Sequence, residues 1–423
     1  MTDGLSRRGL LGLAGTGLGI GIVGAGVGFG VDRAIAGAAT GSSGAAATYP
    51  FFAKHQSGIT SAAQDRLHFA AFDVSDGMTR AELVDLLKDW SYAAARMTQG
   101  EQVSKSGAVG GSLEAPPDDT GEALGLPAAG LTITFGFGPS LFRDASGADR
   151  FGLASRRPAA LIDVPAFPRD ALVASASNGD LCIQACSDDP QVAVHAIRNL
   201  SRIAFGRADL RWSQLGFGRT SSTTRGQSTA RNLFGFKDGT ANLKAEDTSL
   251  VDEYVWAQGS DGTAWMDGGS YLVSRKIRMQ IETWDHQSLK EQQTVIGRDK
   301  GEGAPLSGGT EFTAPNFAFS TNGVKDIATT AHMSLAHPDH NKGAQLLRRG
   351  YNFVDGNDEL GRLNAGLFFI CYQRDPQSQF VRIQNALASH DQLNEYVSHV
   401  SSAIFAVPAG ASTGGYVGET LFA

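Results

Sequence analysis

The chain has 423 residues, of which 42% are hydrophobic and 19% charged, a balance typical of globular proteins that bury large cores. Its 36 Lys and Arg residues against 43 Asp and Glu residues give a net charge of -7, which argues against a nucleic-acid partner. A chain of this length is expected to form about two or three domains.

The N-terminus has the features of a targeting segment. Arg7 and Arg8 precede an apolar, Gly-rich run over residues 9–31. Twin arginines before such a run are typical of Tat signals, so residues 1–45 are predicted to be a Tat signal peptide and linker. Export would make the protein secreted or attached to the cell envelope, with the Tat export machinery as a partner. A membrane anchor is the alternative, since the run is long enough to span a bilayer.

A glycine pattern within that segment imitates a cofactor site. Residues 19–24 match G-x-G-x-x-G, the fingerprint of dinucleotide-binding folds. No strand precedes the pattern and no β-α-β unit follows it, so we assign it no binding role.

The first half of the remaining sequence alternates strand and helix patterns. Period-two alternation predicts strands, and helical spacing of apolar residues after a capping residue predicts helices. A Gly-, Ser- and Pro-rich loop is predicted over residues 101–127. The predicted order is strand 67–74, helix 79–97, strand 131–138, strand 180–187, helix 190–200 and strand 209–217.

The second half repeats part of this plan. A long detour over residues 301–361 separates its first helix from its next strand. The predicted elements are strand 271–284, helix 288–298, strand 367–372, helical segments 379–388 and 391–400, and strand 403–407. The fold class is therefore α+β, with two ferredoxin-like split β-α-β halves at 46–225 and 226–423. The two halves are expected to pair into a dimeric α/β-barrel-like body.

The three cysteines do not form a disulfide framework. Cys182 and Cys186 lie on one face of a predicted strand, about 13 Å apart, which is too far for a disulfide. With Cys371, they are expected to be small buried apolar residues.

One candidate for chemistry is the turn G-F-K-D-G at residues 235–239. Its composition favours a turn in which Asp238 caps the following segment. The functional alternative is that Gly235 and Gly239 let the backbone approach a flat ligand while Asp238 faces it. Residue types alone leave both interpretations open.

The second candidate is a histidine-rich stretch that begins at His332. His337 and His340 follow closely, and Arg348 and Arg349 come soon after. Single histidines in such surroundings are usually core or loop residues, and the two arginines usually form a solvated pair or bind a nearby carboxylate, here Asp355. Three histidines could instead bind zinc or copper, but no fourth ligand is evident.

Several motifs together resemble those of the dye-decolourising peroxidases. The resemblance covers essentially all of the chain after the signal segment. Within this family, the chain is similar to the secreted branch that includes Tat-exported deferrochelatase/peroxidases. One departure is Ser334, where relatives usually carry Arg. The motifs are D-R-L-H-F-A-A-F-D (65–73), T-F-G-F-G (134–138), N-L-F-G-F-K-D-G-T-A-N (232–242), I-G-R-D-K-G-E-G-A-P-L (296–306), H-x-x-L-A (332–336) and R-R-G-Y (348–351).

This resemblance implies one haem b per chain, with His332 as the axial ligand of the iron. Asp238 and Arg348 would lie on the opposite, distal face as the catalytic pair. An acceptor for the second ring nitrogen of His332 is expected at Glu395 or else Asp391. The remaining implied contacts with the macrocycle and its edge are Gly239, Thr240, Ala241, Arg298, His337 and Asp339.

The implied function is a peroxidase that reduces hydrogen peroxide and oxidises organic donors such as dyes and phenolics by one-electron steps through a ferryl intermediate. Deferrochelatase-type iron release from haem is an alternative, and a non-catalytic haem-binding or haem-trafficking protein is another. The sequence leaves open a homo-oligomer, an extracellular metal-homeostasis partner, and the Tyr or Trp residue that would relay electrons to bulky donors.

Overall fold

The computed structural model describes residues 47–423, so the predicted export signal and the glycine pattern at 19–24 lie outside the described residues. Within residues 47–423, no helix combines the length and the apolar character that crossing a membrane requires.

The described chain alternates strands and helices around one strand system. The strands are β1 (Arg66–Val74), β2 (Thr132–Phe137), β3 (Leu181–Ser187), β4 (Ala208–Arg219), β5 (Ser270–Met279), β6 (Ser320–Thr321), β7 (Val324–Lys325), β8 (Leu347–Arg348), β9 (Tyr351–Asn357), β10 (Leu363–Gln373) and β11 (Val397–Val407). The α-helices are α1 (Arg80–Met97), α2 (Pro139–Phe142), α3 (Pro190–Ala204), α4 (Thr248–Tyr254), α5 (Ile281–Asp285), α6 (Leu289–Ile296), α7 (His332–Ala336), α8 (Arg382–His390) and α9 (Glu419–Phe422).

The N-terminal half is a four-stranded antiparallel sheet in the order β4-β1-β3-β2, with α1 and α3 on one face. Local sequence fixes where both helices begin. The Thr79 side chain accepts from Glu82 N while the Glu82 carboxylate accepts from Thr79 N, which is a capping box. Asp189 caps α3 in the same way, directly before Pro190. Both predicted helices and all four predicted strands of this half are confirmed.

The C-terminal half has the same connectivity and the sheet order β11-β5-β10-β9. Each half therefore shows the 4-1-3-2 order of a split β-α-β unit, which confirms the predicted α+β class with two ferredoxin-like halves. Short seams join the two sheets. Phe137 of β2 pairs with Ala406 of β11, and β4 pairs with β9 through Phe217 and Asn352.

The two seams close eight strands into a ring, because β5 pairs with both β10 and β11. Aromatic residues from both halves fill the ring interior, where the Phe69 ring centroid lies 5.4 Å from that of Phe368 and 6.1 Å from that of Phe405. The two sheets are thus held together mainly by shared apolar burial inside the ring.

Two predicted elements of the second half are wrong at their ends. The strand predicted to reach residue 284 stops at Met279, and α5 follows it, since the spacing of Ile281 and Trp284 fits a helical turn as well as a strand end. The helix predicted over 391–400 is a single turn, after which β11 begins at Val397 by pairing with β5. Tertiary pairing overrides local helix preference there.

Four strands were missed in the same half, namely the two-residue strands β6, β7 and β8 and the longer β9. β9 contains Asp355, Gly356 and Asn357, residue types that indicate turns, and it is held by pairing with β10.

The cysteine prediction is confirmed, since Cys182, Cys186 and Cys371 are all buried and free. Burial raises the pKa of the Cys182 thiol well above its usual value, so it packs as a neutral side chain.

Candidate functional site

A cavity of about 480 Å³ lies on the outer face of the C-terminal sheet, a volume within the range of cofactor sites. Its floor is the row of outward-facing side chains Arg275, Ile277, Leu367 and Phe369. Helix α8 and its preceding turn contribute to the opposite wall through residues such as Ile383. The sheet and the helix of this half therefore stand apart, with the cavity between them.

His332, the first residue of α7, lines this cavity with 37% of its side chain accessible. Its Nδ1 lies 2.6 Å from Asp391 Oδ2. Burial alone would lower the pKa of His332, but the charge and hydrogen bond of Asp391 raise it above its usual value. Because Nδ1 is taken, Nε2 is the ring nitrogen left to coordinate a metal.

The partner of His332 corrects the sequence prediction, which preferred Glu395. Asp391 is buried and also accepts from Leu393 N, so its carboxylate is fixed in place. Glu395 is exposed at the end of the single turn Gln392–Glu395. A continuous helix would have put residues 391 and 395 on one face, which is why the pattern could not separate them.

Asp238 and Arg348 also line the cavity, and Arg348 Nη1 donates to Asp238 Oδ1 at 2.7 Å. The other carboxylate oxygen, Oδ2, accepts a longer bond of 3.3 Å from Asn232 Nδ2. Asn242 fixes the backbone of Arg348 by accepting from its N–H at 2.7 Å and donating to its carbonyl at 2.9 Å. The structure thus brings together the two residues proposed for one face.

The two asparagines were not singled out from the sequence. Asn232 and Asn242 are the first and last residues of the stretch N-L-F-G-F-K-D-G-T-A-N. Their position at both ends of the motif that carries Asp238 was the signal available.

The two glycines of the motif serve the turn itself. Gly235 and Gly239 have φ values of 82° and 83°, which favour glycine. A Cβ at Gly239 would come within 2.9 Å of Ser221 Cα, and one at Gly235 within 2.8 Å of Lys300 Cε. The glycines are therefore required by the fold, and the turn then places Asp238 in the cavity wall.

The remaining predicted contacts divide between the wall and the surface. Gly239, Thr240, Ala241, Arg298 and His337 line the cavity. Asp339 is not among the lining residues. Its carboxylate is 74% accessible and lies 3.5 Å from His337 Nδ1, so it is the weakest of the predicted edge residues.

The three histidines do not converge on one ion. His340 is held by a 2.7 Å bond between its Nδ1 and Ser334 O, and His337 packs against Phe317. Across residues 47–423, no group of three or more His, Cys, Asp or Glu side chains could hold a metal ion. Only His332 remains as a candidate ligand for iron.

The two neighbouring arginines point to different places. Arg348 faces the cavity, whereas Arg349 is 0% exposed and donates from Nη1 to Ser61 O at 2.6 Å. A solvated arginine pair is therefore excluded. Asp355, the suggested carboxylate partner, is instead paired with Lys276.

The cavity suits the haem that the motifs imply. A flat, mostly apolar macrocycle needs an apolar floor, which Ile277, Met279 and Leu367 supply. Its carboxylates need cations, and Arg298 lies in the wall, where burial lowers the pKa of its guanidinium although the carboxylate of Glu311 opposes this. An iron ligand needs an imidazole whose second ring nitrogen is fixed, and Asp391 holds Nδ1 of His332 in this way.

Comparisons with known proteins identify the family of the chain. Sequence profiles of the Dyp-type peroxidase N-terminal and C-terminal domains match residues 56–218 and 229–412. Deferrochelatase from Escherichia coli strain K12 is 35% identical over 378 residues, which cover 88% of this chain and 86% of that protein.

Solved structures give the same result. The oxyferrous/water mixed complex of DtpA from Streptomyces lividans is 40% identical with a TM-score of 0.82. The match covers 90% of this chain and 99% of the DtpA chain. A DyP-type peroxidase from Streptomyces coelicolor is 40% identical with a TM-score of 0.81, covering 90% and 98%.

Proposed function

Because the chain belongs to the Dyp-type peroxidase family, a family of haem-dependent oxidoreductases, we propose that its C-terminal cavity binds one haem b and that hydrogen peroxide serves there to oxidise small organic donors. Phenolics and dyes are the proposed donors, each giving up one electron at a time. The observation that supports this most directly is that one cavity contains both the His332–Asp391 pair and the Asp238–Arg348 pair.

The division of labour follows from the chemistry of each pair. Bound haem would supply the iron at which peroxide is cleaved and the two electrons that reduce peroxide. Organic donors would then return these electrons one at a time. His332 offers Nε2 as the axial ligand, and Asp391 fixes its tautomer and raises its basicity.

Asp238 is proposed to move the proton of peroxide from one oxygen to the other. Its Oδ1 is held by Arg348, whereas Oδ2 has only the long bond from Asn232. Oδ2 is therefore the atom that can accept the proton and return it to the departing oxygen. Arg348 provides fixed positive charge where negative charge develops on that oxygen.

The location of the protein is also proposed from its sequence. Arg7 and Arg8 before the apolar run support Tat-dependent export to the cell envelope or the medium. Homo-oligomer formation and a metal-homeostasis partner outside the cell are open to direct measurement.

The axial assignment is tested by His332→Ala. The variant is expected to lose the normal Soret band, because the cavity then has no imidazole for the iron. A matched variant, His340→Ala, should keep that band, since His340 bonds to backbone outside the ligand position. Normal iron ligation in His332→Ala would overturn the assignment.

The distal assignment is tested by the rate at which the haem spectrum changes on adding peroxide. Asp238→Ala and Arg348→Ala should each slow this step at least about tenfold, which corresponds to about 1.4 kcal/mol of barrier. The distal assignment would be wrong if both variants kept the rate of the parent protein.

A second candidate function is iron release from haem, which the 35% identity to Deferrochelatase favours. Iron-free porphyrin is strongly fluorescent, so its appearance on incubation with haem and a reductant would support this activity. A passive haem binder would need neither Asp238 nor Arg348, and it would show no spectral change with peroxide.

A further inference from the structure

We propose that Glu311 is a positioning residue for Asp238, holding the side chains on both sides of it and so fixing the turn that presents the distal carboxylate to the cavity. This inference rests on the proposed distal role of Asp238, and it extends that role to a residue in a distant loop.

Glu311 contacts residues on both sides of Asp238 in the sequence. Lys237 Nζ donates to Glu311 Oε2 at 2.5 Å. Thr240 Oγ1 donates to Glu311 Oε1 at 3.2 Å. One carboxylate therefore spans the turn, with one oxygen bonded before Asp238 and the other bonded after it.

The carboxylate is buried and ionised, which makes these contacts strong. Glu311 is only 6% exposed although it lies in a loop. Burial alone would raise the pKa of Glu311, but the Lys237 ammonium and the hydroxyls of Thr229 and Thr240 lower it below its usual value. A buried charge that is fully hydrogen-bonded resists displacement, because moving it would leave both it and its partners unpaired.

Glu311 is itself anchored from a second direction. Arg298 Nη1 donates to the backbone carbonyl of Glu311 at 3.0 Å and to that of Gly303 at 2.7 Å. Arg298 thereby ties the loop that carries Glu311 to the cavity wall. The Glu311 brace, meaning the Glu311 carboxylate with its bonds to Lys237 and Thr240, therefore connects the turn that carries Asp238 to the cavity wall.

The turn needs such a brace because its own backbone is permissive. Gly235 and Gly239 flank Asp238 on either side, and glycine allows more conformations than any other residue. The backbone N–H of Asp238 is held by Ala230 O at 2.9 Å, but the side chain reaches Arg348 only if the turn keeps its shape. A small displacement of a catalytic group is enough to lower a rate a hundredfold.

The test is Glu311→Gln in the haem-loaded full chain, with two measurements. Hydrogen exchange in a peptide covering residues 232–241 should rise at least about threefold, whereas exchange in β10 should stay unchanged. The peroxide step should slow by about tenfold or more, while the KM for the organic donor stays within about twofold.

A matched control is Asp355→Asn, which removes a similar Lys–carboxylate pair, Lys276–Asp355 at 2.6 Å, away from the cavity. It should change neither measurement. Lys237→Arg, which keeps the charge and the donor, should retain most of the parent behaviour. If Glu311→Gln does not load haem, Thr240→Val removes one of the two contacts and should give a smaller change of the same kind.

The outcomes separate this proposal from the proposed function. If Asp238→Ala slows the peroxide step and Glu311→Gln leaves both the step and the exchange unchanged, the positioning role is wrong. If Asp238→Ala itself has no effect, the distal assignment has failed, whatever Glu311 does to exchange in the turn. A loss of thermal stability without altered exchange in the turn would also overturn the proposal, because it indicates a purely structural residue.

Discussion

The two halves share one connectivity but use the outer faces of their sheets differently. In the N-terminal half, helices of 18 and 15 residues pack directly on the sheet and fill the space with apolar side chains such as Trp90. In the C-terminal half, α6 has 8 residues, and α8 continues a π-helical turn at Gln377–Val381 and lies across a cavity from the sheet. The C-terminal half thus keeps the sheet but leaves a cavity between the sheet and α8 where the N-terminal half packs side chains.

The comparison shows that one fold unit can either cover the outer face of its sheet with packed side chains or leave a cavity there. Filling the face with side chains stabilises the first half by apolar burial. Leaving the face open costs the second half that stabilisation, which a bound cofactor can replace by mass action. Three measurements examine this contrast.

The largest expected difference is in the response to truncation of an aromatic side chain. Trp90 lies 5.6 Å from Phe135 between ring centroids, and its Nε1 donates to Leu200 O at 2.8 Å. Trp90→Ala should lower the free energy of unfolding of the haem-free protein by about 3–5 kcal/mol. Phe369→Ala, in the cavity floor, should lower it by only about 1 kcal/mol, because that ring already borders open space. Denaturant unfolding measures both, and equal losses would contradict the comparison.

The next effect concerns the polar pair that the open half requires. Asp391→Asn removes the charge of the group that accepts from His332 Nδ1 but keeps the size of the side chain. Haem affinity should fall about tenfold to a hundredfold, as measured by the rate of haem transfer to apomyoglobin. The matched control is Glu395→Gln, which should leave the rate unchanged since Glu395 is exposed. A larger effect from the control would reverse the assignment of the proximal acceptor.

The smallest effect is a difference in acid sensitivity between two histidines. Burial in the filled half lowers the pKa of His68 to about 4. Between pH 6.5 and pH 5.5 the unfolded chain binds a proton that folded His68 does not, so stability is lost as pH falls. The loss is about 1 kcal/mol over that interval, and His68→Gln should abolish it in urea unfolding at the two pH values.

The cavity histidine provides the contrast for that measurement. Burial also lowers the pKa of His337, and Asp339 partly opposes the shift. Because the cavity admits water, His337→Gln should change the acid sensitivity of unfolding less than His68→Gln does. A larger change from His337→Gln would show that the open half excludes water better than its shape indicates.

Local sequence was sufficient to predict most of the filled half. The capping box at Thr79 and Glu82 and the cap at Asp189 define helix starts by contacts within a few residues. The motifs that resemble the peroxidase family likewise pointed to His332 and Asp238. These features are local, or depend on a few residues close in sequence.

The errors lie where distant contacts decide the structure. Residues 397–400 look helical, but they pair with β5 more than a hundred residues earlier. The choice between Asp391 and Glu395 depended on that same segment, so one misassigned helix end produced the wrong acceptor. Glu311 was missed because it lies in the long detour, where neither periodicity nor capping indicates which side chain turns inward.

The closed ring of eight strands has a consequence for the protein before its cofactor arrives. Each of β1 to β5 and β9 to β11 has a neighbour on both sides, but the pairing across the two seams is short, with one residue pair between β2 and β11 and two between β4 and β9. Unpaired edges are the sites at which strands of separate copies join and aggregate. The cavity lies outside the ring of strands, so the absence of a ligand does not remove any pairing between the strands. The empty cavity therefore adds no unpaired strand edge to those that the seams already leave.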